Sequence, residues 1–100
     1  MDFSSMKQAL ELKSKIDKAQ KELGKIKVET EAANGAVKVV VNGQQKVLSI
    51  VIAPEALHPA KVKTLQDNIL KAVNEGLERA KQEASKELSG LMGGLNLPGL

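Results

Sequence analysis

The chain contains no cysteine, which excludes a disulfide framework, a thiolate nucleophile and a cysteine-based zinc site. Aromatic residues are nearly absent as well: Phe3 stands alone, with no Tyr or Trp. A hydrophobic core must therefore come from Val, Ile, Leu and Ala, and recognition of nucleic-acid bases by aromatic stacking is almost excluded. No stretch approaches the roughly 18 apolar residues of a membrane-spanning helix. The opening "MDFSSMKQAL" lacks the basic-then-apolar layout of a secretory signal. The cytoplasm is the expected location, with no membrane partner. Histidine is scarce too: His58 sits between Leu57 and Pro59, with no Ser, Cys or acidic constellation at catalytic spacing.

The remaining polar groups point away from chemistry. Glu75, Glu78, Glu83 and Glu87 are interleaved with Arg79, Lys81 and Lys86, the pattern of a solvated helix face rather than of a metal site. Neither Asn-Gly turn leads into a helix N-terminus, as a phosphate cradle requires. The glycine-rich end of the chain has no Lys-Ser/Thr sequel, so it is not a P-loop. The expectation is a protein that is not an enzyme, with no cofactor, no metal and no small-molecule substrate.

What the sequence does contain is charge in one place. The formal net charge of the 100 residues is +3. Residues 1–28 carry seven lysines against Asp2, Glu11, Asp17 and Glu22, whereas the rest of the chain is close to balanced. Apolar residues in this first segment fall at Ala9, Leu12, Ile16, Ala19, Leu23 and Ile26, a heptad seam on an amphipathic helix. Fewer than three heptads cannot stand alone as a coiled coil, so the seam needs a partner.

From about Val28 the period changes to two. "VETEAA" reads as a strand, Asn34-Gly35 as a tight turn and "AVKVVVN" as a second strand. For the bend around Asn42-Gly43, a two-residue turn pairs Val39 with Lys46, and a four-residue loop pairs Val39 with Leu48. The longer loop is preferred because it gathers Val37, Val39, Leu48 and Ile50 on one face and sets Val40, Val47 and Val51 on the other. "APEALHPA" is a connector, and a second helix is expected over residues 61–88. Its apolar positions are Val62, Leu65, Ile69, Val73, Leu77, Ala80, Ala84 and Leu88. Gly76 inside it should weaken the helix by about 1 kcal/mol relative to Ala. "GLMGGLNLPGL" lacks helical support. The organisation is one domain over residues 1–90 and a flexible tail over 91–100.

The fold class is thus α+β: a helix, a three-stranded antiparallel sheet and a helix. Helices of about 35–40 Å must overhang strands of about 20–25 Å. With apolar residues on both strand faces, a second copy is needed to cover them, and the expected state is an obligate homodimer.

Within this arrangement, "GAVKVVVNGQQKVLSIVIAPE" (residues 35–55) and the closing "GGLNLPGL" resemble the YbaB/EbfC family of bacterial nucleoid-associated proteins. The most specific part is Gly35, Val37, Val39, Asn42 and Gly43, followed by the apolar strand and Pro54-Glu55. The segment 54–65 is less acidic than the corresponding part of the family. The resemblance implies a tweezer-like homodimer with helical prongs that binds duplex DNA with little sequence selectivity. On charge pattern alone, Lys7, Lys13, Lys15, Lys18, Lys21 and Lys25 read as a soluble helix surface, with Glu11–Lys15 and Asp17–Lys21 as i,i+4 pairs. The resemblance makes these lysines candidates for phosphate contact, with Arg79, Lys81 and Lys86 on the opposing helix. The alternatives are a prefoldin-like holdase, whose arms need many more heptads than residues 1–28 supply, and an interaction module for another protein.

Overall fold

The computed structural model describes residues 3–91. Helix α1 spans Phe3–Lys25 and is followed by strands β1 (Lys27–Ala32), β2 (Val37–Asn42) and β3 (Val47–Ile52). Two short 3-10 turns, Pro54–Ala56 and Pro59–Lys61, lead into helix α2 (Val62–Leu91). The prolines sit at the first turn of each 3-10 segment, where a missing N–H costs no hydrogen bond. The strands form one antiparallel sheet in the order β1-β2-β3.

The first hairpin follows its sequence. Ala32 pairs with Val37, and Asn34 and Gly35 take the bend with φ of 57° and 88°. Left-handed backbone at both positions is what a tight hairpin turn requires, and Asn-Gly supplies it.

The second hairpin departs from both expected registers: Val39 pairs with Ile50, not with Lys46 or Leu48. Two local features cause the shift. The Asn42 side chain folds over its own loop, its Oδ1 accepting hydrogen bonds from the Gln44 and Lys46 amides at 2.9 and 3.1 Å, while Gln45 turns left-handed at φ 61°. A bulge follows, since Val40 pairs with Ser49 and Val41 with Val47, which leaves Leu48 unpaired. Val37, Val39 and Ile50 share a face as expected, but Val47 joins Val41 rather than Val40.

One face of the sheet lies under α2. Val37, Val39 and Val41 are completely buried there, with Val28, Ala32, Ala72 and Ala80 around them. The middle of the α2 stripe is made of small residues: Ala72, Gly76, Ala80 and Ala84 are buried at intervals of four. The larger Leu65, Ile69, Val73 and Leu77 flank it, partly buried. A Cβ on Gly76 would stand 2.8 Å from Val41 Cγ2 and 3.1 Å from Thr30 Oγ1. Glycine thus permits the close approach, which compensates for its low helix propensity. The Thr30 hydroxyl donates to the Ala72 carbonyl at 2.7 Å, joining sheet to helix inside the core.

The helices overhang the sheet, as their lengths dictate. Thirty helical residues reach about 45 Å and 23 about 35 Å, whereas six strand residues reach about 20 Å. The molecule measures 67 × 19 × 18 Å. Helix α2 runs to Leu91, past the expected helix end at residue 88 and one residue into the expected tail. Residues 92–100, the remainder of that tail, lie outside the described residues. Strand β3 is the uncovered edge: Val47, Leu48, Ile50 and Val51 are 40–58% exposed.

Candidate nucleic-acid interface

Helix α1 is attached to the body by its last turns only. Its residues 3–18 are all exposed, and Ala19 and Leu23 are its only buried positions. These two dock beside α2, where Gln20, Leu23, Gln44, Lys81, Ala84, Ser85 and Leu88 line one shared cleft. The heptad seam therefore divides: its C-terminal part finds a partner within the chain, whereas Leu12 and Ile16 stay 43% and 44% exposed. The free part of the helix, 16 residues, projects about 24 Å.

Of the residues expected to meet phosphate, Lys7, Lys13, Lys15, Lys18, Lys21 and Lys25 lie on exposed positions of this arm or its base. Lys13, Lys18 and Lys21 border one surface groove together with Leu10, Ser14 and Asp17. Lys15 borders another with Gln8, Glu11 and Leu12. The expected pairs Glu11–Lys15 and Asp17–Lys21 do not form; the ion pair of α1 among the described residues is Lys25–Glu22, at 3.2 Å. Lys7, Lys13, Lys15, Lys18 and Lys21 are thus left as uncommitted cations on a thin projecting helix, surrounded by water on most sides.

The candidates on α2 are placed differently. Arg79 Nη1 reaches back to the Glu29 carbonyl at 3.5 Å, beside Lys27. Lys86 pairs with Glu83 at 3.4 Å, and Lys81 faces the base of α1. All three are exposed, yet the structure does not gather them with Lys7 or Lys13. Sequence reasoning passed over one feature of the arm. Phe3, Met6 and Leu10, 84%, 49% and 66% exposed, form a second apolar stripe roughly a third of a turn away from the heptad seam. Their own spacing of three and four was the available signal; the seam begun at Ala9 left them out.

Among the described residues no group of His, Asp and Glu is placed to hold a metal ion, and no helix is long and apolar enough to cross a membrane.

Comparison with known proteins agrees with this geometry. The YbaB/EbfC DNA-binding family matches residues 2–95. A protein of Pelotomaculum thermopropionicum named "Nucleoid-associated protein" is 48% identical over 95 residues, covering 95% of this chain and 90% of the relative. One of the same name from Syntrophobacter fumaroxidans is 42% identical over 98 residues, covering 98% and 89%. The crystal structure of an uncharacterized protein from Helicobacter pylori superimposes with a TM-score of 0.75 at 19% identity, over 93% of this chain and 99% of that one, which shows a shared fold. This chain, with its lysine-bearing helical arm set on a three-stranded sheet, belongs to the YbaB/EbfC DNA-binding family.

Proposed function

We propose that the protein acts as a homodimer that holds duplex DNA through lysines of the projecting α1 helices, with little sequence selectivity. The observation that carries this reading is the arm: residues 3–18 all exposed, with Lys7, Lys13, Lys15 and Lys18 free of ion pairs. Cations presented this way gain affinity by releasing counterions from the phosphate backbone, a gain that every sequence offers alike. With Phe3 its one aromatic residue, the chain offers almost no stacking platform for bases, which leaves charge as the main source of affinity. Family membership implies a place on the bacterial nucleoid in the cytoplasm.

The dimer is supported by strand β3. A long apolar edge strand invites pairing or covering, and Val47, Leu48, Ile50 and Val51 leave one open here. A second copy would double the lysine arms and raise the local potential. The exposed Phe3, Met6 and Leu10 at the arm tip favour a second reading, a holdase for unfolded protein. At 23 residues, α1 is far shorter than the arms that reading needs.

One set of measurements tests both parts. Light scattering is expected to give twice the 10.7 kDa chain mass at micromolar concentration. Two unrelated random duplexes are expected to bind with similar affinity that falls steeply with salt. A monomer throughout, salt-independent binding, or binding of one duplex only would refute the corresponding part. Suppression of aggregation of an unfolded protein, without DNA binding, would favour the holdase.

A further inference from the structure

We propose that the β2–β3 loop is the joint that sets the direction of the α1 arm, and that Gln44 is its positioning residue. The proposal rests on the reading of α1 as the DNA-contacting arm. Because residues 3–18 are all exposed and the buried positions of α1 lie at its base, whatever holds that base determines where its lysines lie. The loop grips that base at two points. The Gly43 amide donates to the carbonyls of Leu23 and Ile26 at 3.0 and 3.2 Å, capping the helix end. The Gln44 Nε2 donates to the Gln20 carbonyl at 2.8 Å, one turn further up the helix. Ala19 and Leu23 seat the same base beside α2, and the two loop contacts a turn apart fix the direction of the helix about that seat.

Both sides of the joint are shaped for this contact. A Cβ on Gly43 would stand 2.5 Å from the Leu23 carbonyl oxygen, so only glycine brings the loop amide this close. A Cβ on Gly24 would stand 3.2 Å from Gln44 Nε2, so Gly24 clears the space that the amide occupies. The loop is itself braced: Asn42 is buried, its Oδ1 accepts from the Gln44 and Lys46 amides, and the Gln45 amide donates to the Asn42 carbonyl at 3.0 Å. The Gln44–Gln20 bond, by contrast, is exposed to solvent. An exposed hydrogen bond adds little to folding, but leverage enlarges its effect on position. From Gln20 to Phe3 the arm extends about 26 Å, so a tilt of about 10° moves its tip by about 4–5 Å. That exceeds the spacing of about 3.4 Å between successive charges along one DNA strand.

The cysteine-free sequence makes the test direct. Spin labels on Ser14→Cys in the arm and Lys71→Cys on α2, both exposed positions, report the arm's direction. Labelled chains are diluted into excess unlabelled chains, so the distance measured lies within one protomer. The parent is expected to give one narrow distribution. Gln44→Met keeps length and neutrality but removes the donor. It is expected to broaden the distribution by several ångströms and weaken binding to a random duplex about three- to tenfold, with melting temperature and oligomeric state unchanged. Gly24→Ala approaches the joint from the other side, favouring the helix while crowding the Gln44 amide, and is expected to broaden the distribution without lowering the melting temperature. Unchanged distributions in both variants would overturn the joint; broadening without loss of affinity would overturn its role in binding. If the parent itself does not bind DNA, the reading of the arm fails, while the distances still decide whether Gln44 positions it.

Discussion

The two helices of this chain have similar amphipathic sequences and opposite fates. Helix α2 has 30 residues, with five basic and five acidic side chains, and presses Ala72, Gly76 and Ala80 onto the sheet, with Ala84 beside the base of α1. Helix α1 has 23 residues, with six lysines against three acids, and buries only Ala19 and Leu23. The small residues of α2 let its backbone approach closely, so its binding capacity is spent on the fold. Helix α1 carries larger residues along its seam, meets the body over its last turns, and leaves the rest in water. The difference teaches that an apolar stripe does not by itself assign a helix to the core. The geometry of contact does, and what remains uncovered is available for function.

The contrast breaks most readily at Gly76. Gly76→Val would drive its side chain into Val41 and Thr30, and crowding of this kind costs about 1–3 kcal/mol. Thermal or urea unfolding followed by far-UV circular dichroism is expected to show that loss. A variant as stable as the parent would mean that α2 is not pressed against the sheet there. Next in size is the arm. Lys13→Glu with Lys15→Glu is expected to weaken DNA binding at least tenfold, about 1.4 kcal/mol, in a titration at moderate salt. Retained affinity would reduce the arm to a solvated surface.

A smaller effect is expected on the other helix. Arg79→Gln, Lys81→Gln and Lys86→Gln together should change DNA affinity less than about threefold, since two of these cations are already engaged with Glu29 and Glu83 and exposed interactions are individually weak. A larger loss than at Lys13 and Lys15 would move the interface to α2. The smallest effect is on stability: the Lys13 and Lys15 changes should alter the unfolding free energy by less than about 0.5 kcal/mol per site. Together these variants separate fold from function along the same line that separates the helices.

Most of this architecture was legible in the sequence. The switch of apolar period from three-and-four to two marked the strands, and Asn34-Gly35 fixed the first hairpin register because its left-handed turn admits few alternatives. The second register was not legible. It depends on the buried Asn42 side chain and on a bulge at Leu48, and neither leaves a mark in the alternation of Val, Leu and Ile. The α2 stripe was legible in period but not in depth: Ala72 and Gly76 look unremarkable beside Leu65 and Ile69, yet the small pair lies at the contact. For the proposed interface, charge pattern alone reads the lysines as a solvated helix face, and the family resemblance is what makes them candidates for phosphate contact. That they stand apart from the core, and from Arg79 and Lys86, required the direction of α1, which the sequence does not encode locally. Gln44, 24 residues along the chain from the Gln20 carbonyl that it meets, carried no signal at all.

The claim that α1 is the DNA-contacting arm is tested most directly by salt dependence. For an interface of about 4–6 phosphates per dimer, log affinity for random duplex DNA should fall against log salt with a slope near −4 to −5. Lys13→Gln with Lys15→Gln removes charge without adding repulsion, and every lysine that no longer meets a phosphate should make the slope shallower by about one. The account predicts a slope reduced by about two or more in this variant, with the protein folded as before. A variant slope equal to the parent's would contradict it.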